Sequence, residues 1–192
     1  DEWGPVDPTM GRVAAGNIAI AEQALGRFDA ALERYRVLVR ESRAAGEILG
    51  LVVYLNNMGD AHRGRGDWAA ARSAYEEGLA LADEHGVAGR RGTKLVNLGV
   101  TCHALGELAR AREWMDRALA DLRAIGDPML EGSTLLARAT LAIDEAAGPA
   151  PGAADLRAAI VIAREIGSAD LQARCAIVHG ERLAAAGQWR RG

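Results

Sequence analysis

Apolar residues in this chain recur every three to four positions, the spacing that builds one buried face of a helix. Leu51, Leu55, Met58 and His62 share such a face, and Ala71, Tyr75, Gly78, Leu79 and Ala82 share another. Gly66 separates the two stripes and Gly86 follows the second. Glycine just past a helix accepts the left-handed backbone that ends it. The pattern therefore predicts two helices joined by a short turn.

The pair repeats at an interval of 40 residues, marked by Gly26, Gly66 and Gly106. Around them the chain reads Leu25-Gly26-Arg27-Phe28-Asp29-Ala30-Ala31, Arg65-Gly66-Asp67-Trp68-Ala69-Ala70-Ala71 and Leu105-Gly106-Glu107-Leu108-Ala109-Arg110-Ala111. A second glycine series, Gly46, Gly86, Gly126 and Gly167, follows polar helix ends. Asp127-Pro128 pairs a capping aspartate with a first-turn proline, a helix-start signal, and Asp7-Pro8 stands three intervals earlier. Repeats are accordingly predicted at 7–46, 47–86, 87–126 and 127–167, with a partial one from 168 to 192 and a linker or remnant at 1–6. Gly148-Pro149-Ala150-Pro151-Gly152 interrupts the fourth, so its second helix is expected at about 153–166. The next second helix should open near Gln188-Trp189. A period of this size marks an array of stacked units whose interior runs lengthwise. The expected fold is all-α, about four and a half antiparallel helix pairs forming one domain over 7–192.

Gly59 and Gly99 fall mid-helix, where glycine is worse than alanine by about 1 kcal/mol. Close approach of the partner helix would offset that cost. Gly180, Ala19 and Ala139 occupy the same slot in other repeats. Phe28, Tyr35, Trp68, Tyr75 and Met115 are the expected wedges between helices.

Composition supports this reading. Of 192 residues 49% are hydrophobic but only 4% aromatic. Alanine supplies much of the apolar count and favours closely packed helices. No apolar run is long enough to cross a bilayer. A net charge of −3 argues against bulk nucleic-acid binding. Cys102 and Cys175 lack metal-knuckle or redox spacing and suit a reducing, cytoplasmic setting. No cofactor or metal is expected.

The residues Gly59, Gly66, Trp68, Ala71 and Tyr75 resemble the pattern of tetratricopeptide repeats, as do Ala19, Gly26, Phe28, Ala31, Tyr35 and Gly99, Gly106, Leu108, Ala111, Met115. The resemblance covers 7–126 well, 127–167 loosely and the tail in its first helix. The usual unit of that family is about 34 residues, and its usual proline at the end of the second helix is missing here. Longer units resemble those of kinesin light chains, spindle-orientation adaptors, peptide-sensing quorum proteins and large actinobacterial transcription activators. The alanine, arginine and glycine bias points to a high-GC bacterial gene and to the last of these groups.

The resemblance implies a right-handed superhelix whose first helices line a concave groove for a protein or peptide. It places Asn17, Asn57 and Asn97 on that wall, where an amide can pair with peptide backbone or a carboxylate. The alternative is that these amides hold neighbouring helices in register. Groove neighbours by helical spacing are Gln23, Asn56, Asp60, Arg63, Thr93, Val100, His103, Ser133 and Thr140. Arg63 is the candidate for an anionic group; a solvated arginine is the plainer reading. His103 beside Cys102 reads as packing.

No nucleophile elbow or phosphate-binding loop appears. Asp60, His62 and Ser73 are near in sequence but read as solvated positions, as do Glu76, Glu77, Asp83 and Glu84. Arg34, Arg36, Arg40 and Arg43 are interleaved with Glu33 and Glu41, a mixed soluble face on which Glu33 and Arg36 can pair. The expected function is protein or peptide binding, as the ligand-sensing or docking domain of a larger bacterial transcriptional regulator, the partner being a separate chain or another domain of the same one. A self-assembling scaffold is the second reading, with the C-terminal helix from 169 as its open surface. Neither enzyme activity, nor membrane contact, nor direct nucleic-acid contact is expected.

Overall fold

In the computed structural model, residues 8–87, 91–144 and 151–185 are described, and their regular structure is α-helical. The chain forms two compact units, Asp1–Gly89 and Arg90–Gly192. The first holds α1 (Pro8–Ala24), α2 (Phe28–Ala45), α3 (Ile48–Gly64) and α4 (Trp68–Glu84). The second holds α5 (Arg91–Ala104), α6 (Leu108–Ile125), α7 (Pro128–Asp144), α8 (Pro151–Glu165) and α9 (Ala169–Ala185). Helix α8 begins two residues before its expected start. Residues 1–6, Asp7, Gly148-Pro149-Ala150 and Gln188-Trp189, singled out in the sequence, lie outside the described residues.

The glycine signals act as expected. Gly26, Gly46, Gly66, Gly86, Gly106, Gly126 and Gly167 all adopt positive φ, between 66° and 84°. At Gly46 the turn closes in two hydrogen bonds: Gly46 N–H donates to the Arg43 carbonyl at 3.3 Å, and Glu47 N–H to Ser42 at 2.9 Å. Helix starts are pinned by side chains in three places. Asp67 Oδ1 accepts from Ala70 N–H at 3.2 Å, Asp127 Oδ1 from Leu130 N–H at 3.0 Å, and Ser168 Oγ from Leu171 N–H at 3.3 Å. Each satisfies a donor that the helix itself leaves open.

In the first unit α2 packs on α3, and Leu32, Tyr35, Leu38 and Val39 share a core with Leu51, Tyr54 and Leu55. In the second unit α7 packs on α6, α8 and α9. Its core joins Leu119, Leu135, Leu136 and Ala139 to Leu156, Leu171 and Cys175. Arg138 crosses this core's edge. Its guanidinium donates to both oxygens of Asp155, at 2.7 and 2.6 Å, and to Asp116 at 2.5 Å.

The mid-helix glycines do face close neighbours. A Cβ on Gly59 would lie 2.5 Å from the Tyr75 ring, and one on Gly99 would lie 2.7 Å from Met115 Cγ. Tyr75 and Met115 are fully buried. Gly180 breaks the rule. It is exposed, with nothing within 4 Å of its Cβ position. The close approach that explains Gly59 and Gly99 does not extend to α9. Phe28 wedges against α3, its ring pressed on the place a Cβ on Gly64 would take, and like Trp68 it is half-buried where Tyr35 and Tyr75 are sealed.

Candidate functional site

Helices α1 and α3 lie side by side in the first unit. The 40-residue interval places Val13 with Val53, Asn17 with Asn57, and Gln23 with Arg63 at matching positions. Val13, Ile20 and Val53 are 48%, 49% and 52% exposed, and Met10 is more so. These open aliphatic side chains sit on neighbouring helices.

The polar residues of α3 converge on one carboxylate. Tyr75 Oη donates to Asp60 Oδ1 at 2.7 Å, Asn56 Nδ2 to Asp60 Oδ2 at 3.3 Å, and Arg63 Nη2 to Asp60 Oδ1 at 3.4 Å. Asp60 is half-buried. Burial and this neighbouring charge push the Tyr75 hydroxyl far up. The Tyr35 hydroxyl is pushed up to about 12, by burial first and by Asp60 second. Asn57, half-buried, is its polar neighbour and works the other way, without a hydrogen bond of full geometry. Asn17 is exposed. The repeated amide thus meets a tyrosine at one position and solvent at another.

A cleft of about 500 Å³ opens at the end of α1 and α3, lined by Ile20, Gln23, Ala24, Phe28, Asp60, Arg63, Gly64 and Trp68. Apolar and aromatic walls carry an amide, a carboxylate and a guanidinium. Arg63 is 40% exposed, so it is only partly solvated, while its Nε is buried without an acceptor among the described residues. A buried donor left unpaired costs free energy.

Asp60 is not the solvated position the sequence suggested, and of the two readings of His62 the buried stripe with Leu51, Leu55 and Met58 holds. His62 is buried, its Nδ1 3.5 Å from Asp67 Oδ2. Burial lowers its pKa, with Asp67 opposing. An imidazole whose folded pKa lies below its unfolded value of 6.5 is held neutral by folding. The unfolded chain then binds the proton more readily, and stability falls as pH drops below 6.5. His62→Leu is expected to flatten the stability profile of the protein just below pH 6.5, read by urea unfolding at several pH values. An unchanged slope would refute this origin.

In the second unit α5 carries Thr93, Asn97, Val100 and His103, and α7 carries Ser133 and Thr140; all are half-buried. His103 Nε2 lies 2.5 Å from Asp144 Oδ2, linking α5 to the end of α7. Thr101 Oγ1 donates to the Asn97 carbonyl at 2.7 Å, and Thr140 Oγ1 to the Leu136 carbonyl at 3.1 Å. At the asparagine position α7 has Ala137 and α9 has Val178, both lining a smaller groove of about 270 Å³. Sequence reasoning missed Val13 and Val53, although valine recurs there at the repeat interval. It also missed the Tyr75–Asp60 bond, which has no sequence signal.

Among the described residues no group of three or more His, Cys, Asp or Glu could hold a metal ion, and no helix is long and apolar enough to cross a membrane. The arginine-rich face of α2 is mixed, as expected: Arg36 pairs with Glu33, Arg34 with Glu22 at 2.8 Å, and Arg43 with Glu77.

These features define an all-α helical-repeat fold. Residues 12–84 match the tetratricopeptide repeat family model. No curated protein matches the chain. Solved structures do. BtubC (BKLC) from P. vanneervenii is 17% identical, with a TM-score of 0.79, 93% of this chain and 76% of that one being covered. The apo form of RapI is 12% identical, with a TM-score of 0.87 and coverage of 96% and 67%. The nearly identical TPR-like repeats of a Podosopora anserina putative kinesin light chain are 15% identical, with a TM-score of 0.73 and coverage of 97% and 94%. Arrays of this class are generally non-catalytic scaffolds that present extended surfaces to other proteins.

Proposed function

We propose that this chain binds a segment of a partner protein, and that the α1–α3 face of the first unit is a principal contact. The observation that carries the reading is the open aliphatic strip of Val13, Ile20 and Val53 ending at the Arg63 cleft. An apolar strip with a few placed polar groups is the usual make-up of a recognition site. A partner side chain would rest on the valines, and a partner carbonyl or carboxylate would accept from Arg63. Asn17, Gln23, Asn56 and Asp60 border the same surface. Asn57 serves Tyr35 as well as the face. Thr93, Asn97, His103 and Ser133 are assigned the same role in the second unit.

The partner is a peptide or a domain of the same polypeptide, as in a ligand-sensing bacterial transcriptional regulator working in the cytoplasm. That setting is supported by the alanine, arginine and glycine bias of the sequence. The competing reading, self-assembly, draws on the Gly180 side of α9, which no described residue approaches closely.

A pull-down with the chain as bait tests the proposal. The double variant Val13→Asp/Val53→Asp should lose captured partners by tenfold or more and keep the wild-type melting temperature, since both sites face solvent. Equal capture by the variant sinks the assignment of this face. Sedimentation over a dilution series decides the competing reading, because a strict monomer removes it.

A further inference from the structure

The larger opening in the first unit lies elsewhere. A groove of about 840 Å³ runs between α1 and α2, on a different side of α1 from the valine strip. Its floor is Gly11, Ala15, Val37 and Leu38, and its walls carry charged side chains.

The next repeat shows what such a groove accommodates. The matching positions 40 residues later are Leu51, Leu55, Glu77 and Gly78, on α3 and α4. There the groove is filled by a helix, since α2 packs on α3, and Leu51 and Leu55 share its core. The filling helix also sets Arg43 against Glu77 on the groove wall. A basic residue at the edge of the docked helix meets an acid on α4.

In the α1–α2 groove the floor is still apolar, with Val37 38% exposed. The charges on its walls are unequal in their commitments. Arg34 is held by Glu22 at 2.8 Å, and Arg12 donates to Glu47 Oε2 at 2.9 Å. On the α2 wall Glu33 meets Arg36 only as an exposed i,i+3 pair, a contact of small energy. Glu41 lies one turn past Val37 on the same wall. Glu33 and Glu41 against Arg34, itself held by Glu22, leave that wall net acidic.

We propose that the α1–α2 groove docks an amphipathic helix of a partner protein, one whose apolar stripe is flanked by lysines or arginines. Its aliphatic residues rest on Gly11, Ala15 and Val37, with Leu38 buried behind them. Its cations face Glu33 and Glu41, as Arg43 faces Glu77 one repeat on. This site is separate from the α1–α3 face and does not depend on it.

The test uses two synthetic 18-residue helices with the same leucine stripe, one flanked by lysines and one by glutamates, titrated against the whole chain by fluorescence anisotropy. The lysine peptide should bind at least tenfold more tightly. Glu33→Lys/Glu41→Lys should reverse that order, and Val37→Asp should weaken both peptides tenfold or more. Val13→Asp/Val53→Asp should leave both unchanged, which keeps this outcome distinct from that of the other face. If neither peptide binds, the proposal fails. It fails equally if the order survives the charge reversal, if Val37→Asp has no effect, or if the chain dimerises on dilution-sensitive contacts that Val37→Asp abolishes.

Discussion

Tyr75→Ala is expected to destabilise the first unit by about 3–5 kcal/mol, the range for removing a large buried aromatic. The ring is fully buried and lies against Gly59, where it fills the slot a missing side chain leaves. The hydroxyl adds a second contribution by donating to Asp60 at 2.7 Å. Tyr75→Phe separates the two. It keeps the ring and strips Asp60 of its shortest partner, at about 1–3 kcal/mol for an acceptor left short. In the wild type Gly59→Ala should also destabilise, because its methyl would sit 2.5 Å from the ring. In the Tyr75→Ala background the same change should become neutral or stabilising, since the ring it clashes with is gone. Urea unfolding of the four chains forms a double-mutant cycle, which measures the coupling directly. Additive losses would show that the slot and the ring are independent.

The second large effect is expected at Arg138. One guanidinium holds Asp155 of α8 and Asp116 of α6 while sitting on α7. Arg138→Met keeps the aliphatic stem and leaves two carboxylates without their cation. Removing one partner of a buried ion pair costs about 3–5 kcal/mol, and exposure reduces it. Arg138 is 21% exposed and Asp116 about half, so about 2–3 kcal/mol is expected here. Adding Asp155→Asn to Arg138→Met should restore part of the loss, because one of the stranded charges is removed. A loss unaffected by that second change would mean that stem packing, not charge, is what Arg138 supplies.

The sequence made the periodic part of the fold readable because its determinants are local. A glycine that ends a helix and an alanine that admits a neighbour act through a few adjacent residues. The seven turn glycines and the Gly59 and Gly99 slots were therefore legible. Gly180 shared the slot position, but no close neighbour meets it among the described residues. The site was less legible for the same reason. Asn56, Asp60 and Arg63 follow from helical spacing, but the bond that anchors them comes from Tyr75, on the next helix. Asn57 reads as a surface amide and turns out to face Tyr35. Burial of His62 follows from its spacing with Leu51, Leu55 and Met58, but its approach to Asp67 does not.

The left-handed turns have a consequence for how such a chain can vary. A side chain at any of the seven elbows is strained whatever space surrounds it. The helix faces, by contrast, tolerate exchange wherever they meet solvent. Drift should therefore rewrite Val13, Val37 or Glu41 freely and leave Gly26, Gly46 or Gly126 fixed, so that partner choice diverges while the scaffold's joints stay the same.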